Sequence, residues 1–284
     1  MKKPLILLVL IFTLFSSSYA QEIKLMSYNI RYDNPNDGEN AWPNRKETLV
    51  KQILFYEPDV IGTQEGLEHQ VNYINDNLKS YNYVGIARAD VKEKGKGEFS
   101  AVFYNSLKYK KLESGTFWLS KTPTKPSRGW DASLNRICTY ILLKNKESGV
   151  EFWVFNTHFD HKGKIAREKS AELIIERIKL INQRNLPIFL MGDFNLQPDE
   201  SPIQFISKEL NDSKKICQQL PYGSVGTFNG FNVCKKPKRR IDYIFVSKNN
   251  IIVIKYAVLA DVKDIKYPSD HFPVFIFAEI KQTK

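Results

Sequence analysis

Several apolar runs of this chain stop abruptly at carboxylates, amides or imidazoles. Leu25-Met26-Ser27-Tyr28 stops at Asn29, Val60-Ile61-Gly62-Thr63-Gln64 at Glu65, Phe152-Trp153-Val154-Phe155-Asn156-Thr157 at His158, and Ile188-Phe189-Leu190-Met191-Gly192 at Asp193-Phe194-Asn195. Asp242 stands inside the apolar run Ile241 to Val246, and Asp270-His271 comes just before the last such run. Strands packed in one sandwich bring their ends to a common rim, so side chains far apart in sequence can converge there. A carboxylate within a run such as Asp242's needs a buried partner, because an unpaired charge there is strongly unfavourable. Glu65 and Asp270 are hard oxygen donors suited to Mg²⁺ or Mn²⁺. The four histidines show no paired spacing and the cysteines no CxxC, so zinc fits less well. Singly, each residue also has an ordinary reading, such as an Asx turn at Asp193-Phe194-Asn195. Their joint occurrence at so many strand ends favours a polar site.

The elements that must hold these groups are legible from periodicity. Glu22 to Ile30 is a strand, and Pro43 opens a helix with Leu49, Val50, Ile53 and Leu54 on one face and Pro58 as its stop. A second strand covers Asp59 to Thr63, and Leu67, Val71, Ile74 and Leu78 mark a second amphipathic helix. Strand-like runs follow at Tyr81–Ala87, Phe99–Tyr104, Thr116–Leu119, Arg136–Leu143 and Val150–Thr157. A long helix carries Ala171, Ile174, Ile175, Ile178 and Ile181, and Pro187 to Met191 is a fully apolar strand. The remainder reads as a short helix near Pro202 to Ser207, a polar loop to Arg240, and strands at Ile241–Val246, Ile251–Leu259 and Phe272–Ile280. No linker or repeat divides the chain, which argues for one α/β domain of mixed sheets covered by helices.

The 284 residues carry 42 Lys+Arg against 31 Asp+Glu, a formal charge of +11. This composition excludes disordered, collagen-like and disulfide-framework chains. Lys2-Lys3, an apolar run from Leu5 to Phe15 and then Ser-Ser-Ser-Tyr-Ala predict a secretory signal peptide over 1–20 and a domain over 21–284. An eleven-residue apolar helix is about 16 Å long, roughly half the hydrocarbon thickness of a bilayer, so a permanent anchor is not expected. Without Lys2 and Lys3 the charge is still +9, which suggests an anionic partner. Cys217 and Cys234 could close a loop by a disulfide in an exported protein, whereas Cys138, within Arg-Ile-Cys-Thr-Tyr-Ile, reads as a small buried strand residue.

Six ordered segments carry a resemblance. They are Ser27-Tyr28-Asn29-Ile30-Arg31, Thr63-Gln64-Glu65, Asn156-Thr157-His158-Phe159-Asp160, Gly192-Asp193-Phe194-Asn195, Arg240-Ile241-Asp242-Tyr243 and Ser269-Asp270-His271-Phe272-Pro273. Together they resemble the endonuclease/exonuclease/phosphatase superfamily, and the segments 32–38 and 129–136 are similar to a secreted bacterial branch of it. The resemblance implies a four-layer sandwich, two mixed β-sheets flanked by helices, with the active site at one rim. It implies Glu65 as the principal metal ligand, with Asn29 and Asp270 at the same ion. It also implies Asp193 to orient or deprotonate water, Asn195 beside it, and His271 held by Asp242. His158 matches the deoxyribonuclease-like branch, where Glu98 stands in the place of its orienting carboxylate. Exonuclease III-type enzymes carry an Asp where this chain has Arg31, which speaks against apurinic repair and for Arg31 as a phosphate contact.

Arg136 and the cluster Lys235-Lys236-Pro237-Lys238-Arg239-Arg240 are candidate anion contacts. Trp118 and Trp130 bracket a Pro/Lys-rich loop that could form a substrate platform. The resulting expectation is a secreted or periplasmic, monomeric, Mg- or Mn-dependent phosphoesterase, with phosphodiesters of DNA or RNA as the default substrate. The alternatives are a phosphatase or phospholipase-like enzyme on sugar phosphates or lipid headgroups, and a binding protein that keeps the scaffold without catalysis.

Overall fold

Two strand–helix–strand crossovers, one in each half of the chain, set the architecture. A computed structural model describes residues 20–89 and 97–281, so the proposed leader lies outside the described residues except for Ala20. The elements are β1 (Gln21–Asn29), α1 (Trp42–Tyr56), β2 (Val60–Gln64), α2 (Glu68–Asn77), β3 (Tyr81–Val84), β4 (Val102–Asn105), β5 (Tyr109–Trp118), β6 (Ile137–Asn145) and β7 (Glu151–His158). They continue with α3 (Lys164–Ile181), β8 (Ile188–Asp193), α4 (Ser201–Glu209), β9 (Asn211–Asp212), α5 (Ser213–Ile216), β10 (Tyr222–Gly223), β11 (Asp242–Val246), β12 (Ile251–Val258) and β13 (Val274–Ile280). One sheet has the order β10-β12-β13-β1-β2-β4-β3 and the other β5-β6-β7-β8-β11-β9. β1 and β2 pair in parallel across α1, and β7 and β8 do so across α3.

The sheets pack face to face. Leu25, Val60, Val154, Met191, Ile244 and Ile276 fill the space between them. Met26, Tyr28 and Ile61 on the outer face of the first sheet meet Leu49, Ile53, Val71 and Ile74 of α1 and α2. Phe155, Leu190 and Tyr243 of the second sheet meet Ile174, Ile178 and Ile203 of α3 and α4. The result is a four-layer α/β sandwich of two mixed sheets. Because both faces of the central strands are covered, β2 and β8 read as continuous apolar runs instead of alternating ones.

Local signals explain the helix limits. Pro43 sits in the first turn of α1, and the helix ends on Glu57 in the left-handed region (φ 47°), with Pro58 next. β3 stops at Val84 and β4 starts at Val102, each three residues inside the expected limit, and two stretches depart further from the periodicity. β5 begins at Tyr109 instead of Thr116, since it is an edge strand whose Lys110, Lys111 and Glu113 face solvent and break the apolar pattern. The loop before Arg240 contains β9, α5 and β10, each only two to four residues long and held by distant partners such as Asn211 on Val246 and Tyr222 on Ala257.

Cys217 and Cys234 are free thiols, so no disulfide closes that loop. The Cys217 Sγ turns onto the carbonyls of Lys214 and Gln219, while Cys234 lies exposed in a turn held by Asn232. Cys138 is buried in β6, as expected, and burial pushes its thiol pKa up. Among the described residues no helix is long and apolar enough to cross a membrane.

Arg45 of α1 was not signalled by sequence, because an arginine on a helix reads as solvated. It is buried, and its guanidinium donates to the carbonyls of Ile30 (2.6 Å), Arg31 (2.7 Å), Asn40 (2.8 Å) and Pro268 (3.1 Å). One side chain thereby ties the loop after β1 to the loop before β13. Arg45→Met removes donors from buried carbonyls and should destabilise the fold by about 2–4 kcal/mol, measured by urea unfolding.

Candidate active site

Register carries the polar groups to one rim. His158 lies opposite Asp193 across β7–β8, and Asp193 opposite Asp242 across β8–β11. The two sheets meet there, since Asn29 Nδ2 donates to Asp193 Oδ2 at 3.0 Å and Asn156 Nδ2 donates to the carbonyls of Thr63 and Ala101. Gly192 permits this approach: its φ is 150°, and a Cβ would stand 2.0 Å from the Thr157 carbonyl oxygen. Just past the ends of β1, β2 and β8, Arg31, Glu65 and Asn195 all take left-handed backbone conformations (φ 55°, 65° and 52°). Such conformations cost about 1 kcal/mol or more each and gather where a side chain must be aimed.

These residues border a cavity of about 600 Å³, walled further by Tyr32, Arg88, Leu134, His161, Phe228 and Arg239. His271 Nδ1 is 2.9 Å from Asp242 Oδ2, and its Nε2 is 3.7 Å from Asp193 Oδ2. His158 Nε2 is 3.5 Å from the same Asp193 oxygen and 3.1 Å from Asn195 Nδ2. Asn195 N donates to Asp193 Oδ1 at 2.9 Å, so Asp193 is held by backbone and amide donors between two imidazoles. Burial opposes protonation of His271, but the Asp242 and Asp193 carboxylates outweigh it and hold His271 as the imidazolium. Burial, then Arg136 and Arg88, keep His158 neutral. Burial and the neighbouring Asp242 push the Asp193 carboxyl up to about 7, and burial with Glu65 pushes Asp270 to about 6.

The donor set suits a divalent cation. Ligand atoms of Glu65, His158 and Asp193 lie within 4.8 Å of one another, as do those of Asp193, Asp242 and His271. The raised carboxyls mark buried negative charge in excess of its compensation, which a hard cation would relieve. Asn29 and Asp270, the other expected ligands, stand at the same rim. Asn29 gives its amide Nδ2 to Glu65 Oε1 (3.0 Å) as well as to Asp193, and its Oδ1 accepts from Arg31 N. Asp270 belongs to neither compact cluster and faces Arg31 Nε at 3.9 Å.

Other expected residues carry partners of their own. Glu98 is 3.9 Å from His158 Nδ1, beyond hydrogen-bond reach, and is engaged by Arg88 Nη2 at 2.6 Å. Burial pushes its carboxyl up to about 7 even against the pull of Arg88. Arg136 borders the cavity, buried, with Nε and Nη2 held by Asp160 (3.4 Å) and His161 (3.1 Å) and with Nη1 lacking a hydrogen-bond partner among the described residues. Arg31 is clamped by both Asp37 oxygens at 2.9 Å. Arg240 is buried on Asp212 and leaves the basic cluster without it. Trp118 is buried with its indole N–H on the Arg88 carbonyl, and neither it nor Trp130 borders the cavity. Asp160, Asp37, Phe228 and His161 carried no periodic signal, although the first two lie in segments that sequence marked for other reasons.

A sequence profile of the Endonuclease/Exonuclease/phosphatase family matches residues 26–271. A solved structure of an endonuclease/exonuclease/phosphatase family protein from Bacteroides thetaiotaomicron is 38% identical, with a TM-score of 0.87 over 93% of this chain and 100% of that one. A mannosyl-6-phosphatase from the same organism is 39% identical, with a TM-score of 0.84 over 90% of this chain and 99% of its own. The CCR4-Not complex 3'-5'-exoribonuclease subunit Ccr4 of Mycosarcoma maydis is 23% identical over 89% of this chain, which spans 49% of that protein.

Proposed function

The chain belongs to the Endonuclease/Exonuclease/phosphatase family of phosphoester-hydrolysing enzymes, and on that premise we propose that it releases phosphate from a compact phosphorylated molecule, a sugar phosphate first, with Mg²⁺ or Mn²⁺. The observation that carries this reading is His271, backed by Asp242, together with Asp193 facing Glu65 in one cavity of about 600 Å³, a volume suited to a small ligand. The 39% identity to a mannosyl-6-phosphatase supports the substrate class. The Lys2-Lys3 leader pattern supports export of the mature chain.

Glu65, with Asp193 and Asp270 near it, would hold the ion, which when bound neutralises charge on the phosphoryl and departing oxygens. The chain's own groups do the rest. Asp193, raised to about 7, is poised to take a proton from water near neutrality. Asn195 and Asn29 fix the two oxygens of that carboxylate. The His271 imidazolium, with Nδ1 on Asp242, presents Nε2–H to a phosphoryl oxygen. Neutral His158, against Asn195, faces it across Asp193.

Nucleic acid is the second reading, favoured by Arg239 at the cavity wall and the exposed Lys235, Lys236 and Lys238 that precede it in the chain. A panel of sugar phosphates, phosphomonoesters and single-stranded DNA and RNA separates the two. Phosphate release from sugar phosphates with intact oligonucleotides supports the first; oligonucleotide cleavage without sugar phosphate turnover overturns it in favour of the second.

Among the cavity arginines, Arg31 pairs with Asp37, Arg88 with Glu98 and Arg136 with Asp160, the last keeping an unpartnered Nη1 among the described residues. Arg239 has no ion pair among the described residues and lies over the Phe228 ring at 5.4 Å. Arg239→Met should raise KM about tenfold with kcat little changed, read from steady-state kinetics on the preferred substrate.

A further inference from the structure

Arg31 is fixed more firmly than a substrate-contacting arginine needs to be. Asn29 Oδ1 accepts its backbone N–H and sets the left-handed turn, while its carbonyl accepts from Arg45 Nη2 (2.7 Å) and Gln70 Nε2 (3.0 Å). Its guanidinium is gripped by both oxygens of Asp37, itself held by Asn34 Nδ2, and lies 4.5 Å over the Tyr32 ring. The bond to Asp37 secures its charge against burial. So anchored, it stands beside two further carboxylates: Nη1 is 3.9 Å from Glu65 Oε2, and Nε, which donates to Asp37, is also 3.9 Å from Asp270 Oδ2. Those contacts are too long for hydrogen bonds but short for charges in a partly buried site.

We propose that Arg31 is a resident cation of the centre, standing between Glu65 and Asp270 and limiting it to a single divalent ion. The inference rests on the reading of those carboxylates as the ion's surroundings. A second divalent ion at the Glu65–Asp270 edge would approach a guanidinium that cannot swing away, because Asp37, Tyr32 and the backbone all hold it.

The test is Mn²⁺ binding to the metal-free mature chain, 21–284, by calorimetry, with free Mn²⁺ counted by electron paramagnetic resonance. The wild type and Arg31→Lys, which keeps the charge, should bind one ion per chain. Arg31→Asn, which suits a left-handed residue, should bind a second ion or bind the first at least about tenfold more tightly. Arg31→Gln should behave the same way and stands in if asparagine disturbs the loop. Two ions in the wild type, or neutral variants with unchanged number and affinity, overturn the proposal while leaving the phosphoesterase reading intact. No Mn²⁺ uptake by the wild type instead removes the metal reading on which it rests.

Discussion

Asp193→Asn is expected to lower kcat by about 10³-fold while leaving KM within a few-fold. Asparagine keeps the shape and the acceptor for Asn195 N but cannot take a proton. The variant should also be at least as stable as the wild type. The Asp193 carboxyl lies above its ordinary range in the folded chain, at about 7, because of burial and then Asp242. The folded state therefore binds more protons than the unfolded one between the ordinary carboxylate range and pH 7, and stability falls as pH rises through that window. A neutral amide escapes this loss. Thermal unfolding of metal-free protein at pH 8 should give a Tm for Asp193→Asn equal to or above wild type, beside kinetics that collapse. A lower Tm with matching loss of turnover would reduce Asp193 to a structural role.

Asp242→Asn should be costly in both respects. Asp242 is fully buried, its backbone N–H donates to Thr227 Oγ1, and its Oδ2 meets His271 Nδ1 at 2.9 Å. Removing one partner of a buried charge pair costs about 3–5 kcal/mol. Without that carboxylate only Asp193 and Asp270 oppose the effect of burial, and the His271 imidazolium gives up its proton at lower pH. The His271 ring resonances should titrate below their wild-type midpoint by NMR, and kcat should fall by about 10²–10⁴-fold. Asp242→Asn/His271→Asn should lose little more activity than either single variant, because the two residues act as a unit. Additive losses would show that they act separately.

Strand ends were the most legible part of this molecule. Asn29, Glu65, His158 and Asp193 each follow an apolar run that is buried on both faces, so the change of chemistry is abrupt. Asp242 announced a buried partner by its place in an apolar strand, and His271 is that partner. The walls were less legible because they depend on contacts without periodicity. Arg136 looks free in sequence but is captured by Asp160, whose carboxylate also accepts the backbone N–H groups of Ser133, Lys162 and Gly163. Glu98 belongs to Arg88, ten residues away, more closely than to His158. Arg45 answers to four carbonyls that only the folded chain assembles. The short strands β9 and β10 exist only through their pairing with β11 and β12.

The central claim, that this rim hydrolyses a phosphate ester with a divalent ion among its carboxylates, is tested most directly by chelation and reconstitution. Phosphate release from mannose 6-phosphate, or from whichever ester of the panel turns over fastest, is followed for residues 21–284 with Mg²⁺, after excess EDTA, and after Mg²⁺ or Mn²⁺ is restored. Release that stops with EDTA and returns with the ion is the predicted result. Undiminished release in EDTA, or none from any ester with either ion present, would contradict it.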